Sequence, residues 1–116
     1  LKKLIVTLSM IALLMGCSSN KEYNKTYDTM NNNIISLGDN LKNNDTKTMD
    51  KIETIENDLS KLNDQANSDK QKLYIGAMKQ DISFIKDGFN DGDSDFYLQF
   101  YNSLINDMKT LKKVSE

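Results

Sequence analysis

The sequence predicts an all-α fold, a small antiparallel bundle of four helices. Three observations carry that reading. Apolar residues recur three and four positions apart along four successive segments, the period of an amphipathic helix. No proline occurs in the 116 residues to break such a segment. Short runs of Asn, Asp, Ser and Gly part the segments, and the apolar–polar alternation of strands is missing.

The first helix of the bundle carries Tyr23, Tyr27, Met30, Ile34, Leu37 and Leu41. On a helix these fall in one stripe narrower than about 100°, the seam of coiled-coil-like packing. Asn31, Asn32, Asn33 and Gly38 lower its intrinsic propensity, so tertiary packing has to hold it. Asn43-Asn44-Asp45 ends it, and Asp45 or Thr46 is placed to cap the next helix. The second helix repeats the narrow pattern with Met49, Ile52, Ile55, Leu59, Leu62 and Ala66. Its other side presents Lys47, Lys51, Glu53, Asp58 and Lys61 to solvent.

After a turn at Asn67-Ser68, Ser68 and Gln71 match the Ser-x-x-Gln capping box that opens a third helix, Asp69 to Phe89. Leu73, Ala77 and Phe84 lie near one direction of that helix, and Tyr74, Ile75, Met78, Ile82, Ile85 and Phe89 fill the neighbouring half. Together they span about 200°. The fourth helix, Ser94 to Lys113, is as broad, from Phe96 through Leu104 to Leu111. Broad faces belong to helices with several neighbours. The third and fourth are therefore expected to form the central hairpin, with the first two flanking it and short antiparallel connections throughout.

Between the last two helices, Asp91, Asp93 and Asp95 fall at positions 1, 3 and 5 of an EF-hand loop. Position 6 is Phe96 where glycine is required, and position 12 is Asn102 where the bidentate glutamate belongs, so no metal site is assigned. A turn is the better reading, with Gly92 supplying backbone freedom and Asp93 or Ser94 capping the helix. The run Phe96-Tyr97-Leu98-Gln99-Phe100-Tyr101 holds too many aromatics for one inward face, so part of it is expected at the surface. Up-down-up-down topology sets this turn at the end remote from the chain's start. There Phe89, Asp91, Asp93, Asp95 and Phe96 form a candidate partner-binding tip, suited to a basic, partly apolar partner. Lys21, Lys25, Lys70, Lys72, Lys112 and Lys113 gather at the opposite end, where anionic lipid attracts them.

The start of the chain has a different character. Lys2 and Lys3 precede an apolar run from Leu4 to Gly16, and the chain's single cysteine, Cys17, follows at once. This is the layout of a secretory signal. Thirteen residues at about 1.5 Å each reach roughly 20 Å, short of the hydrocarbon core of about 30 Å, and the run has no polar face for a globular core. Leu14-Met15-Gly16-Cys17 resembles the lipobox of bacterial lipoprotein precursors, with Met15 standing where the family carries a smaller or β-branched residue. The resemblance implies cleavage between Gly16 and Cys17 and a diacylglyceryl group on the Cys17 sulfur. Residues 1–16 are then signal peptide, 17–21 a lipidated cysteine with a short tether, and 22–116 the helical domain. Two acyl chains anchor a protein stably to a membrane. The tether's reach of about 3.3 Å per residue holds the domain within roughly 15 Å of the bilayer.

Composition prunes the function classes. Cleavage removes 16 residues and two lysines from 116 residues with 15 basic side chains, leaving 100 residues with 13 basic against 17 acidic. The net charge of about −4 argues against a nucleic-acid partner, which needs a concentrated basic patch. Arg, His, Trp and Pro are absent while Lys and Asn abound, a bias that resembles low-G+C Gram-positive proteins. Without histidine there is no imidazole base or ligand, and a lipidated Cys17 leaves no thiol. None of the glycines builds a phosphate-cradling loop. The expectation is a non-catalytic binding or accessory lipoprotein, without cofactor, on the outer face of the cytoplasmic membrane and with a protein partner there. The alternative is an exclusion or immunity lipoprotein of a phage or plasmid, blocking DNA entry through a membrane partner. An enzyme built on carboxylates alone is the third class.

Overall fold

The computed structural model describes the backbone of residues 2–116 and the side chains of residues 21–116. Four helices follow one another: α1 (Lys2–Lys42), α2 (Thr48–Gln65), α3 (Asp69–Asn90) and α4 (Ser94–Ser115). The expected signal peptide, the expected cleavage site at Gly16–Cys17 and the expected tether up to Asn20 lie outside the residues whose side chains are described. Among the described residues no helix is long and apolar enough to cross a membrane.

The four helices form an antiparallel ring in which α1 packs on α2, α2 on α3 and α3 on α4. The α3–α4 pair shares the most extensive interface, and α1 and α4 close the ring at a wider spacing. The narrow stripes enter the core as their spacing requires. Tyr23, Tyr27, Met30, Ile34, Leu37 and Leu41 of α1 are all buried, as are Ile52, Ile55, Leu59 and Leu62 of α2.

The broad faces divide. Ile75, Met78, Ile82 and Ile85 of α3 enter the core with Tyr97, Leu104, Met108 and Leu111 of α4. Leu73 points outward and is 68% exposed, and Leu98 is also exposed. Phe84 leaves the core for the outer side of the α3–α4 seam, where it meets Phe96 and Phe100 with ring centroids 6.2 and 4.6 Å away. The extra width of these helices thus covers their own seam as well as the bundle interior.

Local chemistry fixes the turns. The Ser68 side chain accepts from the Gln71 amide at 3.1 Å, and Gln71 Oε1 accepts from the Ser68 and Asn67 amides, completing the capping box. Gly92 takes a left-handed φ of 70°, and the Asp93 carboxylate caps α4 by accepting from the Phe96 amide. The start of α2 departs from expectation: neither Asp45 nor Thr46 is its cap. Asn44 turns left-handed at φ 53°, and Asp45 Oδ1 then accepts from the Lys47 amide. Helical geometry begins two residues later than a cap at Asp45 would require, at Thr48, whose hydroxyl donates to the Asp45 and Asn40 carbonyls.

Candidate functional site

A row of tyrosines spans the wide α1–α4 seam. Tyr27 donates to the Met108 carbonyl at 2.8 Å, and Tyr101 donates to the Ile34 carbonyl at 2.8 Å. Tyr97 makes a longer 3.4 Å contact to the Leu41 carbonyl. Tyr23 lies 2.8 Å from the Ser115 hydroxyl, and because Ser115 donates to Leu111, Tyr23 is the donor. Carbonyls already engaged within a helix accept these second bonds through their free lone pairs. Burial raises the pKa of Tyr23 and Tyr101. It pushes Tyr27 up to about 12, with Tyr23 and Asp28 adding to the effect. All three phenols therefore stay protonated and keep donating.

Rings placed between two backbones hold the helices apart, and the outer side of the seam opens as a groove of about 630 Å³. Tyr27, Ile35, Ile105 and Met108 supply its apolar lining. Asp28 and Asn31 stand on the α1 side, with Lys109, Lys112, Lys113 and, at the chain's end, Glu116 on the α4 side. Ile35 is 55% exposed, a large aliphatic side chain facing water. Ile105 lies within the broad apolar span of α4 from Phe96 to Leu111, whereas Ile35 falls outside the α1 stripe. Its signal was an isoleucine one position off the α1 stripe.

On the other side of α4, the α3–α4 seam encloses a carboxyl group. Asp81 is 6% exposed and its Oδ1 accepts from the Ser103 hydroxyl at 3.1 Å. Oδ2 is buried without a donor, and the neighbouring group from α4 is the Asp107 carboxylate. Two acceptors satisfy each other only when one carries a proton. Burial, reinforced by Asp107, pushes the Asp81 pKa up to about 7, so Asp81 keeps its proton in acidic solution and releases it as pH passes through neutrality. Here two carboxyl groups approach the chemistry of an acid–base pair. Asp81 lies closed between two packed helices. Its sequence signal was an aspartate inside the apolar half of α3, between Met78 and Ile82.

The distal tip is assembled only in part. Asp91 ends α3, Asp93 caps α4, and both are exposed together with Asp95. Phe89 stacks on Tyr97 at 5.8 Å, packed against the core, while Phe96 joins the outer aromatic cluster with Phe100 at 4.9 Å. Gly88 underlies this parting, since a Cβ there would stand 2.7 Å from the Phe96 ring and 3.1 Å from Tyr97 Cβ. The two phenylalanines thus serve different packing surfaces, both of them half-buried. The opposite end is closely assembled. Tyr23 and Asn24 of α1, Asn67 of the α2–α3 turn and Ser115 of α4 line one small cavity of about 240 Å³.

Comparison with protein-family models, with curated proteins and with solved structures finds no match to this chain. Among the described residues, no three metal-ligating side chains converge.

Proposed function

We propose that the protein is a lipid-anchored, non-catalytic binding or accessory protein on the outer face of the cytoplasmic membrane. The observation that carries the binding role is the α1–α4 groove, an apolar trough with charged rims that the described residues leave uncovered. Grooves between helices are a recurrent docking place for other helices. The lipobox-like Leu14-Met15-Gly16-Cys17 supports the anchor. The groove also opens near the lysine-bearing end of the bundle, where α1 enters from Cys17.

Metabolic labelling with a fatty acid, followed by membrane fractionation, tests the anchor. Wild type takes up label and sediments with membranes. Cys17→Ser takes up none and accumulates at precursor size. Equal labelling of the two would end the lipoprotein reading.

A further inference from the structure

We propose that the α1–α4 groove is occupied by a second copy of the chain, in a parallel pair related by a two-fold axis along the bundle. The inference names the partner of the groove described above, and it rests on the membrane reading only for the parallel orientation.

The tyrosine row supplies the register. It sets Tyr23 opposite Ser115, Tyr27 opposite Met108, Ile34 opposite Tyr101 and Leu41 opposite Tyr97. By that register Asp28 stands level with Lys109 across the groove, and Ile35 lies within about one helical turn of the level of Ile105. Asp28 and Lys109 do not meet within the chain: among the described residues the only ion pair is Lys86–Glu56, at 3.6 Å. Among the described residues, Asp28 on one rim and Lys109 on the other are each without an ion-pair partner.

A two-fold axis along the bundle keeps every residue at its height and exchanges α1 for α4. Asp28 of each copy then faces Lys109 of the other, and Ile35 of each copy covers Ile105 of the other. A partner has to offer a basic rim opposite Asp28, an acidic rim opposite Lys109, and aliphatic groups between them. The groove's own surface meets that requirement twice over, as an isologous contact demands. Anchoring in one leaflet gives all copies the same orientation, and confinement to a plane raises their effective concentration, so a contact of modest affinity is populated.

Disulfide trapping on the full chain tests this in detergent micelles. A Cys17→Ser background leaves the introduced thiols alone. Chains carrying Ile35→Cys are mixed with chains carrying Ile105→Cys and mildly oxidised. The mixed 35–105 disulfide is expected well beyond its statistical share over the 35–35 and 105–105 products. Asp28→Lys alone and Lys109→Glu alone should each lower its yield several-fold, and the double exchange in one chain should restore it. That recovery separates a charge contact from a fold defect.

A statistical mixture of disulfides, or charge variants without rescue, would overturn the pair. So would a monomeric wild type that purifies with bound phospholipid and loses it on Ile105→Lys, an outcome that assigns the groove to lipid. The two readings fail separately. Specific trapping with no acyl labelling of wild type would remove the anchor and keep the pair, whereas labelling without trapping would do the reverse.

Discussion

Replacing Asp81 by asparagine should make the protein more stable in neutral solution and flatten its response to pH. The folded chain raises the Asp81 pKa from 3.8 to about 7. Between those values the folded state holds a proton that the unfolded state has released. Stability then falls as pH rises, because the slope follows protons bound unfolded minus protons bound folded. The contribution is complete below about pH 4 and has gone once pH passes the folded pKa. At 1.36 kcal/mol per pKa unit, the loss is on the order of 4 kcal/mol. Asparagine keeps the shape, accepts from Ser103 through its oxygen and donates to Asp107 through its nitrogen, with no charge to bury. Urea titrations of both proteins at intervals from pH 4.5 to 8.5, followed by circular dichroism, give the difference profile. Wild type is expected to lose ground to Asp81→Asn steadily up to about pH 7 and to hold a constant deficit above it. Parallel profiles from pH 5 to 8 would refute the shared proton. Asp107→Asn offers Oδ2 a donor and removes the opposing charge, so it should reduce the wild-type decline.

Leu104 is fully buried in α4, so Leu104→Ala should cost about 2–5 kcal/mol and lower Tm by about 10 °C or more in thermal unfolding. A change of a degree or two would contradict its place in the core. Gly38 in α1 and Gly76 in α3 should respond to alanine in opposite senses. A Cβ at Gly38 would stand 2.5 Å from the Tyr101 hydroxyl, displacing it from the Ile34 carbonyl, so Gly38→Ala should destabilise by about 1–3 kcal/mol. Nothing lies within 4 Å of a Cβ at Gly76, so Gly76→Ala should stabilise by about 0.5–1 kcal/mol through helix propensity. Chemical denaturation of both variants checks the contrast, and equal signs would contradict the packing around Tyr101.

The parts of the fold that were legible in the sequence are those set by short-range rules. The stripes of α1 and α2 could be read because each is a single narrow seam, and every aliphatic residue assigned to them is buried or packed against the core. The capping box at Ser68 lies within four residues and was complete as written. The α2 start misled because a good capping residue, Asp45, was diverted by the left-handed turn at Asn44 just before it. The groove was hidden for a different reason. The tyrosines read as apolar core, which their rings are, but their hydroxyls end on groups 56 to 92 residues away. Periodicity reports which way a side chain points, and not how far it holds the next helix off. Asp81 was similarly passed over because its position says only that it faces inward, while its proton depends on Asp107 from another helix.

The tyrosine row has a consequence for observing the molecule. The protein contains five tyrosines and no tryptophan, and four of the five span the α1–α4 seam. Four of its five emitting phenols therefore rest their protons on backbone carbonyls or on Ser115, with Tyr74 outside the seam. A hydrogen-bonded phenol emits differently from one in water, so any event that parts or tightens these two helices changes the signal at its source. The chain carries its own optical gauge of the seam, readable without a dye.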